Sequence, residues 1–301
     1  MDTKGLRDHL AEKRGSLSES SIKTYASILR SLQKKLTGNT DVEGSSFNDT
    51  KKVLAALADV EPSKRKTTLS ALVIMTDKQQ YRDAMMKDIK SYKDQISKRE
   101  KTEKQEANWV TEDDIHAKYE ELNKDVAHLW KKENLTSAEH QRLQNFVIVA
   151  VLGGVHIPVR RSKDYVDFKI GNVDTDKDNY FDKKNNMVFN SYKTAKHYGQ
   201  QKIDVPRKLK AILKKWVAKN PTDWLLFDSK YNGLGGQSGK SASGSVKLNQ
   251  RLEKIFNKKV GVNGLRHSSL SENFSEVLTK AVELTEDMGT SLAQLETYAK
   301  K

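Results

Sequence analysis

Between residues 16 and 36 the apolar side chains Leu17, Ile22, Tyr25, Ile28, Leu29, Leu32 and Leu36 return every three or four positions, as they do on one helical face. Ser16 with Glu19 offers this helix a capping box. Shorter helical patterns follow at 49–58 and 63–75, the second opened by Pro62, a residue suited to a helix start. A fourth passes through Tyr81, Met85, Ile89, Tyr92 and Ile96 and runs into residues 98–106, which contain no apolar side chain. That polar stretch reads as a linker, so the chain divides near residue 105 into domains 1–105 and 106–301.

After the boundary the pattern restarts at Trp109 and Val110, with Thr111 placed to cap a helix reaching about residue 131. A helix over 138–151 becomes strongly apolar at its end, from Phe146 to Val151. The chain then turns at Gly153 and Gly154 and becomes strand-like over 166–170, 187–193 and 200–205, the last two joined by a tight turn at 194–199. Residues 207–219 form a basic amphipathic helix with Leu209, Ile212, Leu213 and Trp216 inward, and helices resume at 245–256, at 264–277 and near the C-terminus. The expected fold class is mainly α with a small antiparallel β-sheet: an all-helical domain followed by a mostly helical one that carries the sheet. No period of 20 to 50 residues repeats, which argues against a solenoid.

Composition adds a partner to this plan. A length of 301 residues suits two domains, each able to bury its own core. Lys and Arg total 54 against 40 Asp and Glu, a net charge of +14, which favours a polyanion such as nucleic acid. The excess is +6 up to residue 100 and +8 after it, so both domains can face a duplex. Only 12 of the basic residues are Arg, which makes individual arginines the informative ones. The absence of cysteine excludes a disulfide scaffold, a Cys-based metal site and a thiol nucleophile. No apolar run approaches the length of a membrane span, and the polar N-terminus lacks the apolar stretch of a secretion signal. The expectation is a protein of an intracellular, DNA- or RNA-containing compartment. Residues 193–219 hold nine basic side chains and one acidic. Such a run is commonly just a solvated face. Here it begins on a turn and continues into a helix, so Lys196, His197, Lys202 and Arg207 form a basic edge suited to a phosphate backbone.

The Gly-rich run from Gly233 to Ser241 follows a strand-like segment and precedes a helix, the setting of a nucleotide-binding loop. That loop needs glycine five positions before the Gly-Lys-Ser, where Leu234 stands. It reads instead as a flexible loop that orders on DNA.

Three separated pieces carry candidate chemistry. Arg160, Arg161 and Asp164 fall between the apolar helix and the first strand. Lys193 and Lys196 fall in the strand–strand connection. Asn263, Arg266 and His267 open a helix, and Met288, Gly289 and Thr290 precede Tyr298. In this order they resemble the tyrosine recombinase and integrase family, whose catalytic fold is shared with type IB topoisomerases. The resemblance covers residues 109–301, and the preceding helices resemble the family's core-binding domain. It implies Arg161 with its acidic companion Asp164, Lys193, Arg266 and the nucleophile Tyr298 as catalytic residues. It also implies double-stranded DNA as partner, a homo-oligomer, commonly a tetramer, on that DNA, and no metal or nucleotide cofactor. The two domains would clamp the duplex. Three residues follow Tyr298 where many members place a further helix, so a tetramer would be held by other surfaces or by DNA, unless the sequence is a truncated piece.

The chemistry makes the same demand of these residue types. Attack on a phosphodiester puts charge on the non-bridging oxygens, which two guanidinium forks can neutralise. A phenol needs proton acceptance or nearby positive charge before it attacks well, and a Lys of lowered pKa can protonate the leaving 5′ oxygen. Alternatives stand beside each assignment. Arg160 competes with Arg161 as the clamp, and Lys196 with Lys193. Asn263 and Thr290 occupy positions where the family usually has His, and His or Trp; an amide cannot exchange a proton. His267 points about 100° from Arg266 on a helix and reads as structural, which leaves His197 as a candidate base. A type IB topoisomerase and a DNA-binding protein that has lost catalysis are the competing readings.

Overall fold

The computed structural model describes residues 1–235 and 241–294, and the chain falls into two compact units, Met1–Lys101 and Thr102–Lys301. The molecule is mainly helical with one small sheet.

The first unit is built from α1 (Thr3–Lys13), α2 (Glu19–Thr37), α3 (Thr50–Ala56), α4 (Pro62–Thr76) and α5 (Gln79–Ser97). The periodic face of α2 buries Ala26, Leu29 and Leu32. Its cap is Ser18, which accepts from the Ser21 N–H, and not Ser16, because the chain is still turning out of α1 at Leu17. α1 went unread in the sequence since it buries only Leu6 and Leu10, too sparse a pattern to register. These side chains join Phe47, Val53, Leu69, Leu72 and Tyr81 in one core. The Tyr81 hydroxyl donates to the Phe47 carbonyl at 2.7 Å. Burial, with a contribution from the Asp49 charge, pushes that phenol up to about 12. Buried Asp88 on α5 accepts two bonds from the Arg65 guanidinium on α4, at 2.8 and 2.7 Å, a bidentate pair that sets how the two helices meet.

The second unit opens with α6 (Glu103–Ala107), inside the stretch expected to be a linker. A capping box between Thr102 and Gln105 holds it, with no apolar contact to announce it. α7 (Glu112–Val126) is capped by Thr111 as expected, with Asp114 returning the bond. α8 (Ser137–Leu152) is buried at every position from Phe146 to Leu152, and a helix apolar all round must be covered on all sides. α7 and α11 (Arg207–Lys219) supply cover, the latter burying Leu209, Leu213 and Trp216. The Trp216 ring stacks on Phe227 at 5.7 Å and its N–H donates to the Leu225 carbonyl. Gln144, a buried amide on α8, pairs with both backbone groups of Phe227 at 2.9 and 2.8 Å and so ties the helix to that segment.

Between α8 and α11 lie α9 (Ser162–Val166), β1 (Phe168–Lys169), β2 (Asn179–Phe181), β3 (Met187–Phe189), α10 (Ala195–Tyr198) and β4 (Gln201–Ile203). The sheet order is β1-β2-β3-β4. β2–β3 and β3–β4 are antiparallel, with Val188 opposite both Tyr180 and Lys202, while β1–β2 is parallel. The sheet is therefore mixed, where a purely antiparallel one was expected. β2 itself was unforeseen because its first residue, Asn179, is polar yet buried. The β3–β4 connection holds the single-turn helix α10, closed by Gly199 at φ 65°, in place of the expected tight turn. α12 (Ser241–Phe256) and α13 (Val262–Asp287) complete the unit, and α13 runs on past residue 277, where the sequence pattern ended it. Among the described residues no helix is long and apolar enough to cross a membrane.

Asn179 is the tie between the sheet and α9. Its amide nitrogen donates to the Asp164 and Ser191 carbonyls, both at 2.9 Å, and its oxygen accepts from the N–H groups of Asn190 (2.9 Å) and Ser191 (2.8 Å). Asn179→Ala leaves these backbone groups unpaired, three of the four partly or fully buried contacts being with the β3–α10 segment, and is expected to lower the unfolding free energy by about 3 kcal/mol or more. Urea unfolding measures this, and a loss below about 1 kcal/mol would contradict the role given to Asn179.

Candidate functional site

The chain leaves α8 through two glycines that the turn requires. At Gly153 a Cβ would stand 2.5 Å from the Val149 carbonyl oxygen, and Gly154 holds φ 83°. The turn delivers Val159, Arg160 and Arg161 to the start of α9, where Arg161 is the N-cap residue and Asp164 lies in the first turn. The Arg160 Nε donates to Asp164 Oδ2 at 2.9 Å, and its Nη1 donates to Gln201 Oε1 on β4 at 2.8 Å. The guanidinium also lies 4.1 Å over the Phe189 ring and 5.2 Å from that of Tyr192. Asp164 is thus the ion-pair partner of Arg160, not of Arg161 as expected, because the start of α9 sets Asp164 one turn beyond Arg160. With its side chain 16% exposed and its Nε and Nη1 engaged, Arg160 faces inward.

Arg266 comes from the second turn of α13, whose start is fixed by a side chain the sequence did not reveal. Asn249 on α12 accepts the Val262 N–H at 3.1 Å and caps the helix in place of its own Gly261. Half-buried Arg266 donates from Nε to the Val159 carbonyl at 3.1 Å, beside Arg160. Its terminal nitrogens, and the whole guanidinium of half-buried Arg161, have no hydrogen-bonding or ion-paired partner among the described residues. Both positive charges act on Asp164. Burial pushes the Asp164 carboxyl above its usual range, opposed by the charge and hydrogen bond of Arg160 and then by the charges of Arg161 and Arg266. Its Oδ1 is buried with no hydrogen-bond partner.

The remaining predicted residues fall in different places. Lys193 is exposed, directly after Tyr192, on the segment that Asn179 anchors and that the Tyr192 hydroxyl closes by donating to the Gly199 carbonyl at 2.6 Å. Lys196 and His197 are exposed on α10, where His197 stands edge-on to Tyr198. Lys202 on β4 is paired with Asp182 at 2.5 Å, so its charge is partly spent within the sheet. Arg207 is exposed at the start of α11. Asn263 and His267 are exposed on the first turns of α13. Thr290 is not brought to this cluster: its N–H donates to the Thr285 carbonyl and its hydroxyl to Gln294, closing the far end of α13. At 1.5 Å per residue that end is about 30 Å along the helix from Arg266. Tyr298 lies outside the described residues, as do residues 236–240 of the Gly-rich run.

Two half-buried guanidinium groups whose charges both act on Asp164 carry forked donors of the kind that suits a tetrahedral oxyanion. The polar residues that brace the surrounding elements, Asn179 at the sheet, Gln201 at Arg160 and Asn249 at the start of α13, carry no periodic or motif signal; only their polarity at buried or partly buried positions could have marked them.

The raised Asp164 carboxyl gives a pH dependence with a definite sign. The folded state holds that proton more tightly than the unfolded state, so the contribution of Asp164 to stability is greatest below about pH 4 and falls as pH rises through the native value. The difference in unfolding free energy between wild type and Asp164→Asn, followed by urea titration from pH 4 to 7, should therefore decline with rising pH and then level off. A difference that grows with pH would mean that the three guanidinium charges outweigh burial. No family model matches the chain, and a search of curated proteins found no match.

Proposed function

We propose that the second unit binds the backbone of duplex DNA at Arg161 and Arg266 and breaks and rejoins it through a covalent 3′-phosphotyrosine, as a site-specific recombinase does. The observation that carries this reading is the pair of half-buried guanidinium groups with unspent donors beside buried Asp164, since a polar fork is costly to hold part-buried without an anion to receive it. The basic face of α11, with exposed Arg207, Lys208, Lys214 and Lys215, adds sequence-independent attraction for phosphates.

In the proposed reaction the Tyr298 hydroxyl attacks phosphorus and loses its proton to water, the bond to the 5′ oxygen breaks, and Lys193 gives that oxygen its proton, to be reprotonated from water. Arg161, Arg266 and the first turn of α13 neutralise the charge that builds on the non-bridging oxygens. A 5′-hydroxyl then attacks the phosphotyrosine, forms the new phosphodiester and releases the phenol. Binding without cleavage is the second reading. It draws on Asn263, which cannot exchange a proton, and on Thr290, which stands far from Arg266.

On a nicked duplex that traps the intermediate, wild type should form a covalent adduct visible on a denaturing gel, and Tyr298→Phe should bind without forming it. Arg161→Ala and Arg266→Ala should each slow adduct formation by roughly 10²- to 10³-fold. An adduct from Tyr298→Phe rules out that nucleophile, and none from wild type favours binding alone. With about eight phosphates neutralised, affinity should fall on the order of 10⁴-fold for a fourfold rise in salt. A flat salt response in a fluorescence-anisotropy titration would contradict backbone binding.

A further inference from the structure

We propose that a second copy of this chain covers the outer part of α13, with the two helices antiparallel. After its first turns α13 carries Leu270, Phe274, Val277, Ala281, Leu284 and Met288, spaced alternately by four and three residues, the repeat of a coiled-coil seam. Apart from half-buried Ala281, these side chains are between 53% and 64% exposed, and Leu278 beside them is also exposed. The helix is anchored in its own unit through its beginning, where Val262, Leu265 and Ser268 are buried and the Glu272 carboxylate accepts the Glu112 N–H at 2.9 Å. An amphipathic helix that continues beyond its anchor with its apolar stripe exposed lacks the partner its pattern specifies.

The pattern identifies that partner. The spacing four, three, four, three, four is the same from either end, so a two-fold axis beside Thr279 sets Leu270 against the partner's Met288. It likewise sets Phe274 against the partner's Leu284 and Val277 against the partner's Ala281. Such a self-complementary patch is what an isologous dimer needs. Charge selects the orientation. Glu283, Glu286 and Asp287 crowd the last turns. Parallel pairing would set Glu272, Glu276, Glu283, Glu286 and Asp287 each beside its own copy, whereas antiparallel pairing sets only Glu272 near the partner's Glu286 and runs the two helix dipoles in opposite directions. At on the order of 100 Å² apiece, six exposed apolar side chains offer roughly 600 Å² per copy, against ~800 Å² per partner in a standard interface. That area fits a reversible dimer.

Sedimentation of the full chain without DNA should show the mass doubling with rising concentration, and Val277→Glu should weaken the dimer at least tenfold while circular dichroism shows the helices intact. Because the chain has no cysteine, introduced thiols report orientation. Leu270→Cys mixed with Met288→Cys should form a disulfide-linked dimer on mild oxidation, and neither alone should. A monomer at all concentrations, a dimer indifferent to Val277→Glu, or efficient linkage of Leu270→Cys to itself overturns the pairing.

Discussion

A carboxylate out of reach of water is the constraint on which the second unit's surface depends. Asp164 is buried, and burying a charge costs several kcal/mol unless a counter-charge and hydrogen bonds come with it. Arg160 supplies both, and it is held in turn by Gln201 on β4 and the ring of Phe189 on β3. One ion pair thus fastens the end of the α8 turn, the start of α9 and two strands. Arg160 is consumed in the fastening. Arg161, its neighbour in sequence, has a guanidinium without a hydrogen-bonding partner among the described residues.

The rest of the cluster follows from that fixed point. Arg266 reaches it because the Val159 carbonyl, one residue from Arg160, accepts its Nε. Asn179 adds the β3–α10 segment by bonding both the Asp164 carbonyl and the backbone before Tyr192, which places Lys193 on a braced connection. α13 has a divided character: its beginning belongs to the core and the cluster, while its remainder carries an exposed apolar stripe. A helix this long also keeps its two ends apart, and for that reason Thr290 and Arg266, close in the expected motif, are remote in the fold.

Legibility followed burial. α2, α8 and α11 were plain in the sequence because each buries a stripe or a whole cylinder of apolar side chains, and removal of that surface from water is what their residue pattern encodes. α1 and α6 were not, since one buries two leucines and the other is held by a polar capping box. The sheet was half legible: β3 is buried throughout, whereas β2 begins on a buried amide whose partners are backbone groups far along the chain. The arginines stood out by their scarcity, but their division of labour did not.

The sequence by itself determined the mainly helical class, the strong basic charge, the buried α8 and the residues from which an anion site can be made, because these depend on local pattern and composition. Only the tertiary structure decided that Asp164 takes Arg160, that Arg161 and Arg266 keep donors without a partner among the described residues, that the sheet is mixed and that α13 runs unbroken to Asp287. Those outcomes turn on which long-range partner reaches a polar group first when both are removed from water, and no spacing along the chain carries that information.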